Sequence, residues 1–270
     1  MVIKKLIQFV KQNLYLSLFI ISVMVVMLVS IYRLVLYKPT YLYAKVKVGQ
    51  GFWWSSTAAK PTVWLLNAIK DAKDEYDLSG GSQAKIENIR YYVLYPGDTY
   101  DIYLTLKLRV NSNKYTKKST YKRSLVGIGA PIQMEFSTIQ VNGTIIDLSS
   151  SPFQDTLIEK TIILTKRYAY PWEFDAIKIG DNYSNGEQTV FEVTDKKSVD
   201  TVTLSSDNFG NSTPNLSEGR KYITLTAKIK VKQDNGNLIF GEEQVIKNGK
   251  GINASTDNFS FHDYTVSDIK

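Results

Sequence analysis

The residues that most often carry out chemistry are few in this chain. His262 is the only histidine, within Phe261-His262-Asp263, and there is no cysteine. A His/Cys zinc site and thiol chemistry are therefore excluded. A Ser-His-Asp triad would require His262 itself, and no Gly-x-Ser-x-Gly turn accompanies it. We expect His262 to be a loop or rim residue, and we predict no enzymatic activity and no catalytic, cofactor-binding or metal-binding residue.

Paired carboxylates are the other candidates for acid–base chemistry. They occur as Asp74-Glu75, as Asp98 with Asp101, and as Glu242-Glu243. Neighbouring acids of this kind usually form turns or lie in solvent. We therefore expect them to be solvated or turn-forming rather than catalytic.

Five bulky aromatic residues form the best candidate for a contact surface, because such side chains anchor many binding sites and stack on sugars or on partner side chains. The alternative is that they belong to the core or lie at a membrane interface. The residues are Phe52, Trp53, Trp54, Trp64 and Trp172.

The formal net charge of +7 comes from lysines that are interspersed with acidic residues. Such a distribution suits a solvated face that is attracted to anionic lipid or to an envelope polymer. No Arg/Lys stripe with interleaved aromatic residues indicates a nucleic-acid surface, so nucleic acid is not expected among the partners.

These residues have to be positioned by the rest of the chain, which begins with an apolar run. Residues 12–32 carry no charge and are mostly Leu, Ile, Val, Met and Phe. A helix of this length is about 31 Å long, enough to cross a hydrocarbon core. We predict a short tail at 1–11 and a transmembrane helix at 12–36, with a buried core helix as the alternative.

The run has no Ala-x-Ala-like cleavage site, which favours an uncleaved, single-pass signal anchor over a removed signal peptide. Lysines and arginines lie on both sides, so charge alone does not fix the orientation. A very short tail before an apolar run usually stays inside. We expect a cytoplasmic N-terminus and the bulk of the chain outside the cytoplasm.

The remaining chain alternates apolar and polar residues in many short stretches, which predicts a mainly β fold. Tyr41–Val48 should be a strand, and 62–71 is the one short helix expected. Asp234-Asn235-Gly236 predicts a tight turn between strands. A surface loop is expected around Asp195–Gly219.

Four blocks recur in the same order in both halves, which indicates a tandem duplication. We predict two related barrel- or sandwich-like modules, at 40–150 and 151–270. Asp147 and Asp268 take equivalent places, which indicates a shared structural role. The main matches are Leu104–Val110 with Leu225–Val231, Gly127–Gly129 with Gly249–Gly251, Thr144–Leu148 with Thr265–Ile269, and Gly81–Glu87 with Gly186–Glu192.

This arrangement resembles a bacterial membrane-anchored family of unknown function. The soluble part of that family follows a pattern of Gly-Asp, Gly, Leu-Thr-Leu, Gly-x-Pro and Gly-Thr-Val. The resemblance implies an N-terminal membrane helix with a β-rich domain, and it implies no activity. The matching residues are Gly180-Asp181, Gly186, Leu104-Thr105-Leu106, Leu225-Thr226, Gly129-Ala130-Pro131 and Gly143-Thr144-Ile145.

From these features we expect a non-enzymatic binding or assembly module of the cell envelope, held at the lipid bilayer by its anchor. Its partner would be an envelope protein or polymer. One alternative is an accessory or adaptor subunit of a membrane transport or secretion assembly. Another is an enzyme that acts on envelope polymer, which would use the tryptophans and scattered acids.

Overall fold

The computed structural model describes residues 13–32, 39–49, 60–77, 80–95, 99–113, 115–201, 203–206, 209–210, 212–215 and 219–270. Predictions for the tail at 1–11 and for Phe52, Trp53 and Trp54 lie outside these residues. The chain divides into two compact units, Met1–Thr40 and Tyr41–Lys270, and each is described by itself.

The first unit contains helix α1, Leu14–Ile31, whose 18 residues are all uncharged. At about 1.5 Å per residue it is about 27 Å long. The helix is long and apolar enough to cross a membrane. The prediction of an N-terminal apolar helix is therefore confirmed, while the predicted ends at 12 and 36 lie outside the described residues.

The second unit is mainly β, as predicted. Its first sheet has eight strands, accompanied by helix α2, Val63–Asp71. The strands are β1 (Thr40–Val48), β2 (Asp74–Tyr76), β3 (Ser82–Tyr95), β4 (Thr99–Ser112), β5 (Ser119–Tyr121), β6 (Ser124–Val126), β7 (Pro131–Glu135) and β8 (Gln140–Ser149).

The second sheet has seven strands and is accompanied by helix α3, Pro171–Ala176. A separate two-stranded ribbon consists of β12 (Thr203–Ser206) and β13 (Ser212–Asn215), and one of the two large sheets is nearly barrel-shaped. The strands of the second sheet are β9 (Leu157–Ala169), β10 (Asn182–Ser184), β11 (Thr189–Asp200), β14 (Lys221–Asp234), β15 (Asn237–Phe240), β16 (Gln244–Ile246) and β17 (Thr265–Ile269).

Both sheets contain the same order of neighbouring strands. This order is β2-β3-β4-β1-β8 in the first sheet and β10-β11-β14-β9-β17 in the second. In each case the short helix follows the first strand of the set, since α2 follows β1 and α3 follows β9. The two halves of the unit therefore share the same topology over these five strands and one helix.

The last strand of each set carries a bulge at the same point. The bulged residue follows Ile145 in β8 and Val266 in β17. Beyond it, the carboxylates of Asp147 and Asp268 accept the backbone N–H of the next residue at 2.8 and 2.9 Å. These two aspartates thus do the same structural work, because each satisfies a donor where the ladder is interrupted.

Three sequence predictions need correction. A second short helix, α3, exists beside the predicted one; it was missed because six residues make less than two turns, too few for a 3.6-residue period to show. The residues from Asp195 are not a plain loop, since β11 continues to Asp200 and β12 pairs with β13.

The third correction concerns the matched glycines. The backbone N–H of Gly129 donates to Ile145 O at 2.8 Å, and that of Gly249 donates to Val266 O at 2.7 Å. Both glycines have φ near +80°. Gly249 therefore corresponds to Gly129 and not to Gly127, because the positive φ, which only glycine adopts without strain, falls at this position.

Candidate functional site

Three aromatic side chains lie exposed where β9 runs into α3. Tyr168, Tyr170 and Trp172 are 55%, 46% and 61% exposed, respectively. The rings of Tyr170 and Trp172 are nearly parallel, at 19°, with centroids 6.4 Å apart. Together with Arg220, these residues are called the aromatic platform below.

The backbone at the platform is irregular. Opposite β14, the β9 strand contains one extra residue, because Lys221 pairs with Ala169 while Ile223 pairs with Lys166. Within this bulge Tyr168 has φ +58°, a left-handed conformation that is unfavourable for a bulky side chain. Strained residues of this kind cluster at binding and active sites, where a bulge re-aims a side chain.

A buried carboxylate, that of Glu173, fixes the backbone of the platform. Glu173, 3% exposed, accepts the backbone N–H of Tyr170 at 3.0 Å through one oxygen. Its other oxygen accepts a hydrogen bond from Lys166 Nζ at 2.7 Å. Pro171 opens α3, where its missing N–H costs nothing. The first turn of the helix is thereby fixed.

The platform is also fixed from its side. The guanidinium of Arg220 lies 3.4 Å from the centroid of the Tyr170 ring and donates to Tyr168 O at 3.3 Å. Trp172 packs against the buried Phe259, with centroids 6.4 Å apart. The exposed rings are therefore ordered before any partner arrives, which lowers the entropic cost of binding.

An open groove of about 700 Å³ lies on the same strand, β9. Its charged residues are Lys166, Arg167 and Asp263. Lys166 is engaged by Glu173 and, at 3.4 Å, by Asp263, whereas Arg167 forms no ion pair with any described residue. Arg167 therefore gives the groove a cation that no described acidic side chain neutralises.

The structure separates the five predicted contact residues. Trp172 belongs to the platform, and Trp64 is 68% exposed. Each tryptophan is the second residue of the short helix in its half, α2 or α3. The alternative that these two tryptophans are core residues is wrong. Phe52, Trp53 and Trp54 lie outside the described residues.

Tyr168, Tyr170 and Arg220 were not among the predicted contact residues. The run Tyr168-x-Tyr170-Pro171-Trp172 was available as an indication, because it places three large aromatic residues within five positions. Arg220 carried no such indication, since its contact with Tyr170 spans a large separation along the chain.

A second polar cluster joins the two sheets. Arg90 on β3 lies 2.7 Å from Asp155 and 2.7 Å from Glu242, and it also pairs with Glu187. Lys45 on β1 is buried and contacts the same two acids, Asp155 and Glu242. This group of Lys45, Arg90, Asp155, Glu187 and Glu242 is called the junction cluster.

Electrostatics in the junction cluster keep Asp155 and Arg90 charged. Burial opposes ionisation of Asp155, but Lys45 and Arg90 outweigh it and lower the pKa of Asp155 to about 2. Burial likewise opposes the charge on Arg90, while Glu242, Glu187 and Asp155 outweigh it and raise its pKa above the ordinary value. Because Asp155 and Arg90 are each held in one protonation state near neutral pH, they fit an ion-paired joint better than a proton-transfer site.

The prediction that the paired acids are solvated or turn-forming is wrong for Glu75, whereas Glu242 lies in a turn, as the prediction allows, with a side chain that is 9% exposed. Glu75 is 1% exposed on β2, accepts the hydroxyl of Tyr121 and pairs with Lys122. Burial, together with Glu75, raises the pKa of Tyr121. Burial is also the main cause of the raised pKa of Asp101, which lies 3.8 Å from Lys47. Asp98 lies outside the described residues.

The described residues offer little else for chemistry. His262 is half-buried in the turn between Phe261 and Tyr264, as expected of a rim residue. Within the described ranges no three His, Cys, Asp or Glu side chains lie close enough together to hold a metal ion. The platform and its groove are thus the surface best built for contact.

Comparison of the chain with protein-family models, with curated proteins and with solved structures gives no match. The resemblance to the membrane-anchored family therefore stays a prediction.

Proposed function

We propose that this chain is a membrane-anchored binding or assembly module of the cell envelope, non-enzymatic, with its β-rich body outside the cytoplasm. The observation that carries the proposal is the ordered, exposed stack of Tyr170 and Trp172 beside Arg220. The apolar helix Leu14–Ile31 would provide the anchor. We include in the proposal membership of the family that the sequence resembles.

The composition of the platform supports a contact role. Trp, Tyr and Arg are the residues most enriched where binding energy is concentrated. Exposed aromatic rings that are contiguous expose apolar surface that a monomer normally buries. The positive φ of Tyr168 costs conformational free energy, and backbone strain of this kind is concentrated at binding and active sites.

The proposed partner is an envelope protein or an envelope polymer. Flat, nearly parallel rings accept the apolar face of a sugar or a partner's planar side chain, and Arg220 offers donors beside them. The neighbouring groove, with Arg167 unpaired among the described residues, would favour an acidic group on that partner.

The common strand order supports the further proposal that modules 40–150 and 151–270 are copies of one unit. In that case Trp64 and Trp172 are the same residue in two copies, each exposed at the start of a helix. Among the described residues, stacking and cation contacts of the kind made by Tyr170 and Arg220 accompany the tryptophan of the second copy and not that of the first. Trp64 is therefore a matched control for Trp172.

The test is chemical crosslinking of the full-length protein in native membranes, followed by mass spectrometry. The account predicts one dominant partner that is retained in Trp64→Ala and lost in Trp172→Ala. A partner that survives Trp172→Ala would contradict the assignment of the platform. Turnover of an envelope polymer that a single Asp, Glu or His262 substitution abolishes would contradict the non-enzymatic role.

A further inference from the structure

The first sheet carries a small hairpin that is rich in Lys and Arg. Between Asp101 and Glu135 the sequence has seven Lys or Arg residues and no acidic residue. Four of the seven, Lys117, Lys118, Lys122 and Arg123, lie beside strands β5 and β6. The segment Tyr115–Ile128, which contains these strands, is called the basic hairpin below.

The turn of the basic hairpin is strained. Lys122 and Arg123 form its two central residues, with φ +45° and +71°. A two-residue turn of this kind ordinarily uses Asn-Gly or Gly-Gly, because left-handed backbone disfavours larger side chains. The ion pair of Lys122 with the buried Glu75 fixes the turn. Lys122 and Arg123 thus occupy two positive-φ positions at which Asn or Gly would be less strained.

Exposed apolar side chains accompany these cations. Tyr115, Leu125 and Ile128 are all exposed, with Ile128 at 70%. Lys117, Lys118 and Arg123 are exposed as well and form no ion pair within the described part of the chain. Cations mixed with exposed aromatic and aliphatic side chains are typical of surfaces that lie on a bilayer.

The corresponding hairpin of the second sheet carries the opposite charge, and its turn is docked on the first sheet of the same chain. Strands β15 and β16 follow β14 as β5 and β6 follow β4, but their turn is acidic. Glu242 in that turn lies 2.7 Å from Arg90, and Glu243 lies 2.7 Å from Lys47. The acidic turn is docked on cations, whereas the basic turn has Glu75 and Glu135 as its only described acidic contacts, both through Lys122.

We infer that the basic hairpin binds the headgroups of anionic phospholipids. Charge complementarity favours an anionic surface, and the apolar side chains favour a bilayer over a soluble anion. With the proposed anchor in place, on which the inference rests, a chain tethered to a bilayer by Leu14–Ile31 would meet such a surface at high effective concentration, so even weak attraction would be effective. This site is separate from the aromatic platform and does not depend on its partner.

The experiment uses the full-length protein, which has no cysteine of its own. Leu125→Cys is labelled with a polarity-sensitive NBD dye, and the protein is reconstituted in vesicles of phosphatidylcholine alone or with phosphatidylglycerol. The expected result is quenching by doxyl-labelled lipid and protection from acrylamide in the anionic vesicles only. High salt should reverse both effects, because it screens the charges.

Two variants and one added anion decide the outcome. Each cation contributes about fivefold to association with an anionic surface, so Lys117→Gln, Lys118→Gln and Arg123→Gln together should lower the bound-to-free ratio about a hundredfold. The matched label, Val245→Cys on β16, should respond equally in both vesicle types. Equal responses at Leu125→Cys, or a response kept in the triple variant, would overturn the inference. Protection by soluble polyphosphate in neutral vesicles would overturn the lipid assignment.

Discussion

The guanidinium of Arg90 on β3 lies 2.7 Å from the carboxylate of Glu242, which belongs to the turn between β15 and β16. A hairpin of the second sheet is thereby ion-paired to a long strand of the first. The side chains of Arg90 and Glu242 are 13% and 9% exposed, so the pair is largely removed from solvent. Such a pair has a large effect on stability when only one partner is removed.

Arg90→Met should destabilise the protein by about 3–5 kcal/mol, because Asp155 and Glu242 would remain buried with too little positive charge. Urea unfolding of the full-length protein in detergent measures this free energy. The control is Lys228→Met, which removes an exposed ion pair with Glu159 and should change stability by less than about 0.5 kcal/mol. Equal losses in the two variants would contradict a buried joint.

Stability should also depend on pH through Asp155, whose pKa is lowered from 3.8 to about 2. A lowered folded-state pKa gives stability that is present above the unfolded pKa and is lost as the pH falls through the folded one. We expect about 2 kcal/mol to be lost between about pH 4 and pH 2. Unfolding titrations over this range measure the loss.

Asp155→Asn serves as the comparison for this titration. The variant should be less stable at neutral pH and should lack the Asp155 part of the acid-induced loss. An unchanged pH profile in Asp155→Asn would mean that other carboxylates cause the acid sensitivity.

Gly186 should not tolerate a side chain. It has φ +100°, and an added Cβ would lie 2.6 Å from Cε1 of Tyr91 on β3. The adjoining Asn185 accepts the backbone N–H of Tyr91 at 3.0 Å, so this turn docks closely on the first sheet. Gly186→Ala should cost about 1–3 kcal/mol more than the control Gly236→Ala, measured by urea unfolding.

Gly236 is a suitable control because it also has positive φ, at +79°, but has no atom within 4 Å of an added Cβ. Both variants therefore suffer backbone strain, and only Gly186→Ala adds the clash with Tyr91. Equal destabilisation of the two would show that the close approach of the turn to β3 does not matter.

Tyr168 should show a conflict between stability and binding. Its φ of +58° costs about 1–2 kcal/mol for a residue with a Cβ. Tyr168→Gly should therefore leave stability unchanged or raise it by about 1 kcal/mol while it weakens partner capture by the platform. Asn235→Gly serves as the control: Asn adopts the φ of +47° readily in this hairpin turn, so the change should alter neither stability by more than about a few tenths of a kcal/mol nor capture. Full capture by Tyr168→Gly would remove Tyr168 from the contact surface.

Much of the fold was predictable because it depends on local patterns. Alternation placed β1 over the predicted Tyr41–Val48, and Asn235-Gly236 forms the predicted turn, with φ +47° and +79°. The shared place of Asp147 and Asp268 in the repeated blocks correctly indicated a common structural role. These inferences required only neighbours along the chain.

The junction cluster was not predictable, because its ion pairs join residues far apart in sequence, such as Lys45 with Glu242, which differ by 197 positions. The sequence around Glu75 predicts a solvated carboxylate, but Glu75 is buried because the fold brings it against Lys122, 47 positions away. Helix α3 escaped because it is too short for periodicity to show. The correspondence of Gly129 with Gly249 depends on their positive φ angles, which the amino-acid sequence does not show.

The measurement that tests the central claim most directly is site-specific photocrosslinking from the aromatic platform in native membranes. A photoreactive phenylalanine analogue is placed at Tyr168 in the full-length protein, alone or with Trp172→Ala or Trp64→Ala. The account predicts one crosslinked envelope component, kept in Trp64→Ala and reduced about tenfold or more in Trp172→Ala. No crosslinked component, or one unaffected by Trp172→Ala, would contradict the account.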